Sequence, residues 1–275
     1  MTEQALILKH DPRKLCNAYF KLAKRLWGAA LLCKLAIALI VWFSVFAKAA
    51  PFVAFLIAIF AEWLAWRSDK TKGVVESLLR KLDFRDSLGW EISKAEVSDI
   101  LARTSAKIRS NIPPEDRQGN YFASQDAEGT TRALKNIQES AWWSKHLAEK
   151  MGQYTFSLTV ISVIGSLFIL IVSVNSAVNS EVLSSIGRVV TSVLMLVLSL
   201  GLIRLTLGFY AFSRKAQRAE ERAGEFLKYG CSDLDAVKLY NEYHLDRASA
   251  PLIPDWAWKL NQEHLNELWS DYRTS

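Results

Sequence analysis

The sequence predicts an all-α membrane protein with four spans, arranged as two transmembrane helical hairpins, and a helical cytoplasmic domain formed by the central loop and the C-terminal tail. Hydrophobic residues make up 51% of the 275 residues and charged residues 23%, but four apolar blocks hold almost none of the charge. No segment alternates apolar and polar residues with the period of two that strands show. Lys and Arg cluster on one side of the blocks. This distribution excludes a plain soluble enzyme and a disordered chain.

Two apolar blocks separated by a few residues predict the first hairpin. They run from about Leu26 to Ala47 and from about Ala49 to Trp66, and each is close to the roughly 20 residues that cross a bilayer core. A cleaved signal peptide is the alternative for the first block, because Ala47-Lys48-Ala49 resembles a cleavage site. The long polar region before this block and the second block directly after it favour a hairpin.

The second hairpin is predicted from two further blocks. Met151 to Ser180 contains no charged residue, and the block from about Val189 to Phe212 is interrupted only by Arg204. The predicted segments are a cytoplasmic N-terminal helix (1–25), the first hairpin (26–66), a cytoplasmic helical loop region (67–150), the second hairpin (151–212), and a cytoplasmic helical stalk and tail (213–275).

Helical patterns continue outside the blocks. The stretch from about Thr130 has no breaker before Gly152, so we expect this helix to enter the third span directly. The fourth span is expected to continue as a stalk that ends at Gly230, a residue type typical of helix C-caps. A capping box at 93–96 predicts another helix, which the prolines at 113–114 end.

Lys and Arg positions predict the orientation. Six of them precede the first span, whereas the tip of the first hairpin carries only Lys48 and the link between the last two spans only Arg188. By the positive-inside rule, the N terminus, the central loop and the C terminus lie in the cytoplasm. Almost no chain remains outside, which excludes a receptor for extracellular ligands.

Three ionisable residues, Lys34, Glu62 and Arg204, fall inside the predicted spans. At a rise of 1.5 Å per residue, each lies roughly 6–12 Å from the cytoplasmic end of its span. Charges at that depth usually pair with one another or face a water-filled path. Alternatively, each long side chain reaches the interface separately.

The last two spans each carry a stripe of small hydroxyl residues that recur every seven positions. Such residues allow close helix packing in lipid. In an oligomer with the stripes facing its axis, they would instead line a polar, uncharged pore, and the sequence leaves both interpretations open. The stripe comprises Thr159, Ser166, Ser173 and Ser180 in the third span and Ser185, Ser192, Ser199 and Thr206 in the fourth.

Catalytic and metal-binding motifs are missing from the sequence. The four His residues lie in different segments, with none at the i, i+4 spacing of a helical metal site. No G-x-S-x-G, Walker A or G-x-G-x-x-G motif occurs. The three Cys residues have no C-x-x-C spacing and suit a reducing cytosol. We therefore expect no catalytic residue, no metal and no cofactor.

One cytoplasmic helix face is a candidate ligand site. Before the third span, Arg132, Lys135 and Trp142 share a face with Glu139 and His146. Cations suit phosphate groups, and an indole ring suits base stacking. The alternative is a solvated basic face whose tryptophan is buried in the domain.

Two stretches and the span layout carry a family resemblance. Tyr121-Phe122-Ala123-Ser124 and Asn136-Ile137-Gln138-Glu139-Ser140-Ala141-Trp142-Trp143 precede the third span. Ala250-Pro251-Leu252-Ile253-Pro254-Asp255-Trp256, Leu260-Asn261 and Leu265-Asn266-Glu267-Leu268-Trp269 lie in the tail. With the two-plus-two spans, they resemble the SMODS-associated four-transmembrane effectors, predicted pore-formers of bacterial cyclic-oligonucleotide-based antiphage signalling (CBASS). The resemblance covers most of the chain.

This resemblance implies a multi-pass protein of the bacterial inner membrane that detects a cyclic oligonucleotide made by a partner nucleotidyltransferase. It also implies that a homo-oligomer then assembles or opens and breaches the membrane before phage matures. DNA and RNA polymers are not expected partners, because membrane topology explains the basic residues. A non-conducting scaffold or sensor that recruits a cytosolic partner is the alternative. A transporter is disfavoured, since the charges lie nearer one leaflet than the midplane.

Overall fold

The structure is a computed structural model that describes residues 11–42, 50–102, 104, 106–110, 112–113, 121–176, 186–187, 189–191, 193–194, 197–198 and 200–274. Every regular element in these ranges is an α-helix, which confirms the all-α class. The helices with described bounds are α1 (Pro12–Trp42), α2 (Ala50–Leu88), α3 (Lys94–Ala102), α4 (Ala106–Ser110), α5 (Thr130–Ser176), α6 (Leu202–Tyr229), α7 (Asp233–Ser249) and α8 (Asp255–Thr274).

Local signals predicted the continuity of α5 and the end of α6. The predicted fourth span (189–212) is wrong as a single helical block, because a turn at 200–201, with Gly201 at a positive φ of 65°, precedes the start of α6 at Leu202. α5 is continuous from Thr130 to Ser176, as expected for a stretch without a breaker. α6 ends at Tyr229, and Gly230 adopts a positive φ of 81°, the C-cap conformation expected from the sequence. Ser232 then opens α7, because its side chain accepts a hydrogen bond from the backbone N–H of Asp235.

The prediction of a single helix after the capping box at 93–96 is wrong, because the structure has two helices there, α3 and α4. Thr104 forms a bend between them. Its hydroxyl donates to the backbone oxygen of Ile100 at 2.7 Å and lies 2.8 Å from the hydroxyl of Tyr19 on α1. A threonine side chain that bonds the backbone competes with helical hydrogen bonds, and the apolar periodicity does not reveal this competition.

The chain divides into two compact units. Unit 1 comprises Met1–Ala23, Asp69–His146 and Phe212–Ala250, and unit 2 comprises Lys24–Ser68, Leu147–Ala211 and Pro251–Ser275.

Unit 1 has a well-packed core that alanines and two tyrosines dominate. Alanine has no side chain beyond Cβ, so it lets neighbouring helices approach closely. The buried Tyr240 and Tyr243 fill the larger spaces, and the hydroxyl of Tyr243 lies 2.8 Å from that of Ser140 and 2.9 Å from that of Ser144. The core alanines of α5, α6 and α7 are Ala133, Ala141, Ala216, Ala219, Ala223 and Ala236.

A second core cluster in unit 1 packs α1 against α2. It contains Leu15, Cys16, Val75, Leu78, Leu79 and Leu82. Burial raises the pKa of Cys16 to about 12, so this thiol stays protonated at neutral pH and fills space in the cluster.

Unit 2 presents apolar side chains at its surface. Among the described residues, one helix, α5, is long and apolar enough to cross a membrane, and almost none of its apolar window is buried. Parts of all four predicted spans lie outside the described residues: 43–47 of the first, 49 of the second, 177–180 of the third, and 192, 195, 196 and 199 of the fourth. Membrane crossing by these segments stays a prediction. Exposed large side chains include Leu32, Leu35 and Leu39 on α1, Phe52, Phe55, Leu56 and Ile59 on α2, and Phe156, Ile161, Ile164, Phe168 and Ile171 on α5.

Candidate functional site

The structure brings two of the predicted ligand-binding residues together around the loop at 121–128. Lys135 Nζ forms an ion pair with Asp126 Oδ2 at 2.8 Å, and Arg132 Nη1 donates to the backbone oxygen of Asp126 at 3.4 Å. Hydrogen bonding from Lys135 lowers the pKa of Asp126. Glu139 accepts a hydrogen bond from a backbone N–H of the same loop at 2.9 Å. This face of α5 therefore holds the loop, and its charges are engaged within the chain.

The third predicted residue, Trp142, lies inside unit 1. Its side chain is 4% exposed, and its ring packs edge-on against His146 and Trp143, with centroid distances of 4.4 and 5.2 Å. A ring in this position has no open face for a base. Helical spacing places Trp142 on the same face of α5 as Arg132, but it does not reveal that this part of the face is covered. The structure therefore favours the alternative in which the tryptophan is buried in the domain.

A buried-charge cluster joins α1, α2 and α7, and sequence analysis missed it. The cluster consists of Arg13, Glu76, Asp83, Asp86 and Arg247. Arg13 Nη2 donates to Asp83 Oδ1 at 2.7 Å and to Asp86 Oδ2 at 2.6 Å. Arg247 Nε lies 3.3 Å from Glu76 Oε2, and its Nη1 lies 3.9 Å from Asp83 Oδ2.

Each charge in this cluster depends on its partners. Burial raises the pKa of Asp83, and the guanidiniums of Arg13 and Arg247 work against this increase. Burial likewise disfavours the charge on Arg13, yet the carboxylates of Asp83 and Asp86 raise its pKa. The ring of Tyr121 also lies over the guanidinium, 4.1 Å from Cζ to the ring centroid. The cluster therefore fixes the start of α1 within unit 1.

Lys72 completes the arrangement at the C-terminal end of α7. Its buried Nζ donates to the backbone oxygens of Ala248 at 2.9 Å and Arg247 at 3.3 Å, and also to that of Ala250. Helix C-termini leave carbonyl groups without intrahelical partners, and a cation there is favourable. Burial lowers the pKa of Lys72.

His244 is expected to make unit 1 less stable at acidic pH. Burial and the nearby charges of Arg247, Arg80 and Arg13 lower its pKa well below 6.5. The unfolded chain gains a proton below about pH 6.5 while folded His244 stays neutral, so stability is complete above that pH and is lost as the pH falls toward the lowered pKa. At pH 5 the loss is up to about 2 kcal/mol.

The measurement compares the melting temperature of the wild type with that of His244→Gln at pH 8 and pH 5. His244 Nε2 lies 3.5 Å from Asp83 Oδ2, and Asp83 titrates in the opposite sense because its pKa is raised. Asp83 is present in both proteins, so the difference between them reports His244. The wild type should lose more stability than the variant, and equal losses would contradict the assignment.

A cleft with a volume of about 510 Å³ lies between α2, the residues after it and α7. Trp90 stacks on Phe84 with a centroid distance of 5.1 Å and an interplanar angle of 8°, and Phe84 also contacts Tyr240 at 4.7 Å. Trp90 nevertheless stays 52% exposed. These three packed rings thus run from Tyr240, which is buried, to Trp90, which is accessible to solvent.

Three cations line the same cleft as this accessible ring. Arg80 and Lys81 on α2 and Lys238 on α7 line the cleft, together with Asn241 and Glu91. Arg80 Nη1 donates to Asn241 Oδ1 at 3.3 Å, which ties the guanidinium to α7. The lining therefore carries three cations and one carboxylate.

Gly89 determines where Trp90 lies. It ends α2 with a positive φ of 73°, and its N–H donates to the backbone oxygen of Arg85 at 2.9 Å. A Cβ at this position would lie 2.5 Å from Glu128 Oε2. The sequence signal for this feature is a glycine that ends a helix immediately before a tryptophan. This signal does not reveal Lys238, the cation that α7 supplies.

Two of the three predicted intramembrane charges pair with each other in unit 2. Lys34 Nζ lies 2.7 Å from Glu62 Oε1. Arg204 is exposed and, within the described ranges, forms no ion pair. The structure therefore pairs α1 with α2 through one charge pair and leaves Arg204 outside it.

Two of the described hydroxyl residues of the stripe are buried in unit 2. Ser166 and Thr206 are buried and donate to the backbone oxygens four residues earlier, at 2.7 and 2.8 Å. Thr206 Oγ1 also lies 2.9 Å from Thr155 Oγ1, which joins α6 to α5. Thr159 donates to the backbone oxygen of Thr155 at 2.7 Å. Ser173 lies on α5, and Ser180, Ser185, Ser192 and Ser199 lie outside the described residues.

Neither metal ligands nor known relatives assign a role to this chain. Across the ranges that the structure describes, no group of three or more His, Cys, Asp and Glu side chains could hold a metal ion. The expectation that the chain needs no metal stays a prediction. No protein-family model, curated protein or solved structure matches the chain.

Proposed function

We propose that this chain is a four-span effector of CBASS-type antiphage defence in the bacterial inner membrane. The observation that carries the proposal is the exposed apolar surface of unit 2. Leu32, Phe55 and Ile161 are among the large apolar side chains exposed on α1, α2 and α5. Soluble monomers rarely expose contiguous apolar patches beyond a few hundred Å², so a lipid environment explains this surface best.

The charge distribution supports a cytoplasmic location for unit 1 and both termini. The Lys34–Glu62 ion pair also suits a helical hairpin in lipid, because paired charges cost less to bury there than separate ones. The buried-charge cluster has a different role in this proposal: it stabilises unit 1.

The proposed activating ligand is a cyclic oligonucleotide that a partner nucleotidyltransferase makes. The family resemblance supports this part of the proposal. It also supports a homo-oligomer as the active form, and it assigns the chain no catalytic step of its own.

Activation requires that the messenger bind the open or assembled state more tightly than the resting state. A hundredfold preference, equivalent to about 2.7 kcal/mol, would shift the balance strongly at each site. α5 runs without a break from Thr130 in unit 1 to Ser176 in unit 2, so one continuous helix is available to transmit the change.

Dye leakage tests the proposal. The full chain is reconstituted in liposomes with a trapped fluorescent dye, and cyclic di-AMP, cyclic di-GMP or cyclic tri-AMP is added outside. At least one of these messengers should release the dye, whereas protein-free liposomes and AMP should not. Messenger binding without leakage would contradict a membrane-disrupting effector.

A non-conducting scaffold or sensor is the second candidate. The burial of Ser166 and Thr206 favours it, because these hydroxyls are engaged in helix packing within one chain. The leakage experiment separates the two candidates, since a scaffold would bind messenger and leave the dye inside.

A further inference from the structure

The cleft beside Trp90 combines an exposed aromatic ring with several cations, as nucleotide sites do, and the family resemblance does not point to it. Its volume of about 510 Å³ falls within the roughly 300–1,000 Å³ of small-molecule sites. It lies entirely within unit 1, between α2 and α7. It is also distinct from the α5 face that carries Arg132 and Lys135.

We propose that this cleft binds a nucleotide unit of the activating cyclic oligonucleotide, with a base on Trp90 and phosphate groups at Arg80, Lys81 and Lys238. The choice of a cyclic oligonucleotide as ligand rests on the proposed function. The assignment of the cleft rests on the geometry alone.

Stacking is the first component of recognition. Phe84 stacks on one side of Trp90, and Tyr240 packs against Phe84 in turn. In unit 1, Trp142 is 4% exposed and Trp90 52%, so Trp90 offers an aromatic surface that Trp142 does not. Bases stack on such rings whatever their identity, because every base has a π-face.

Charge is the second component. Two helices bring Arg80, Lys81 and Lys238 to one cleft, and guanidinium and ammonium groups both bind phosphate. These cations also have contacts within the chain: Arg80 donates to Asn241, and Lys238 Nζ lies 3.8 Å from Asp235 Oδ1. The pair with Asp235 is longer than the 2.8 Å pair of Lys135 with Asp126 on α5 and is exposed to solvent, so a phosphate group can compete for Lys238. Glu91 adds an acceptor to the lining that could receive a hydrogen bond from an amino group of a base.

The test is isothermal titration of the detergent-solubilised full chain. The probes are cyclic di-AMP, cyclic di-GMP and cyclic tri-AMP, and AMP and GMP form separate arms. Trp90→Ala should weaken binding of the messenger about 5- to 150-fold, the range expected for loss of one stacked base. Trp90→Phe should retain most of the affinity, and Lys238→Gln should weaken binding more at low salt than at high salt.

Lys135→Gln is the matched control, because it removes a cation from the competing α5 face. Its affinity should equal that of the wild type. Melting temperatures of all variants show whether each one folds. Unchanged binding in folded Trp90→Ala, or weakened binding in Lys135→Gln alone, would overturn the cleft assignment, as would the failure of every probe to bind the wild type.

Two outcomes separate the cleft from the proposed function. Binding of AMP or GMP alone that Trp90→Ala abolishes would support the cleft as a nucleotide site and contradict the messenger role. Messenger-induced dye leakage that persists undiminished in Trp90→Ala would support the effector function and overturn the cleft.

Discussion

Replacing Arg13 with methionine is expected to lower the free energy of unfolding by about 3–5 kcal/mol. The side chain of Asp83 is only 2% exposed, and Arg13 is its nearest cation at 2.7 Å. Without Arg13, the nearest guanidinium atom is Arg247 Nη1 at 3.9 Å, and a buried carboxylate without adequate compensation is strongly destabilising. Chemical denaturation of the detergent-solubilised protein, followed by circular dichroism, measures the loss.

Two further variants make this prediction specific. Arg222→Met removes an exposed ion pair in which Arg222 Nη1 lies 2.8 Å from Glu242 Oε2. This change should lower the free energy of unfolding by less than about 1 kcal/mol. Arg13→Met combined with Asp83→Leu should recover part of the lost stability, because the buried carboxylate of Asp83 is then absent, while Arg247 keeps Glu76 and Asp86 keeps Arg85 as partners. A similar loss in Arg13→Met and Arg222→Met would contradict the assigned role of the cluster.

Ile164→Arg is expected to abolish dye leakage and to reduce the amount of chain that resists extraction from membranes at alkaline pH. Ile164 is 61% exposed and lies in the apolar part of α5. An arginine at the centre of a spanning helix costs about 2.5–3.5 kcal/mol of insertion free energy. On the surface of a soluble helix, the same change would cost within about 0.5 kcal/mol.

The matched control for this change is Leu245→Arg. Leu245 is also exposed but lies on α7 in unit 1, so leakage and membrane retention should stay at wild-type values. Ile164→Leu should likewise behave as the wild type. Normal leakage and retention in Ile164→Arg would show that this part of α5 does not cross the bilayer.

The fold could be predicted as far as local signals extend. Uninterrupted helical periodicity predicted the continuity of α5, and Gly230 predicted the end of α6. The bend at Thr104 escaped prediction because it depends on where one hydroxyl bonds. Apolar blocks predicted which segments expose hydrophobic surface, but their number of membrane crossings rests on residues beyond the described ranges.

The candidate sites required contacts that sequence spacing does not show. Arg132 and Lys135 are three residues apart on one helix, so periodicity placed them together correctly. Arg13 and Asp83 are 70 residues apart in the chain, and no local pattern pairs them. The cleft beside Trp90 likewise needs α7 to lie next to α2, which only tertiary packing determines.

The central claim is that unit 1 lies in the cytoplasm while the chain crosses the bilayer several times. Cysteine accessibility tests it most directly, in a background where Cys16, Cys33 and Cys231 are replaced by alanine. A membrane-impermeant maleimide is applied to intact cells that express either Ala127→Cys, at an exposed position of unit 1, or Lys48→Cys, at the predicted tip of the first hairpin. We predict labelling of Lys48→Cys in intact cells and labelling of Ala127→Cys only after the membrane is permeabilised. Labelling of Ala127→Cys in intact cells would contradict the account, because no intracellular messenger could then reach unit 1.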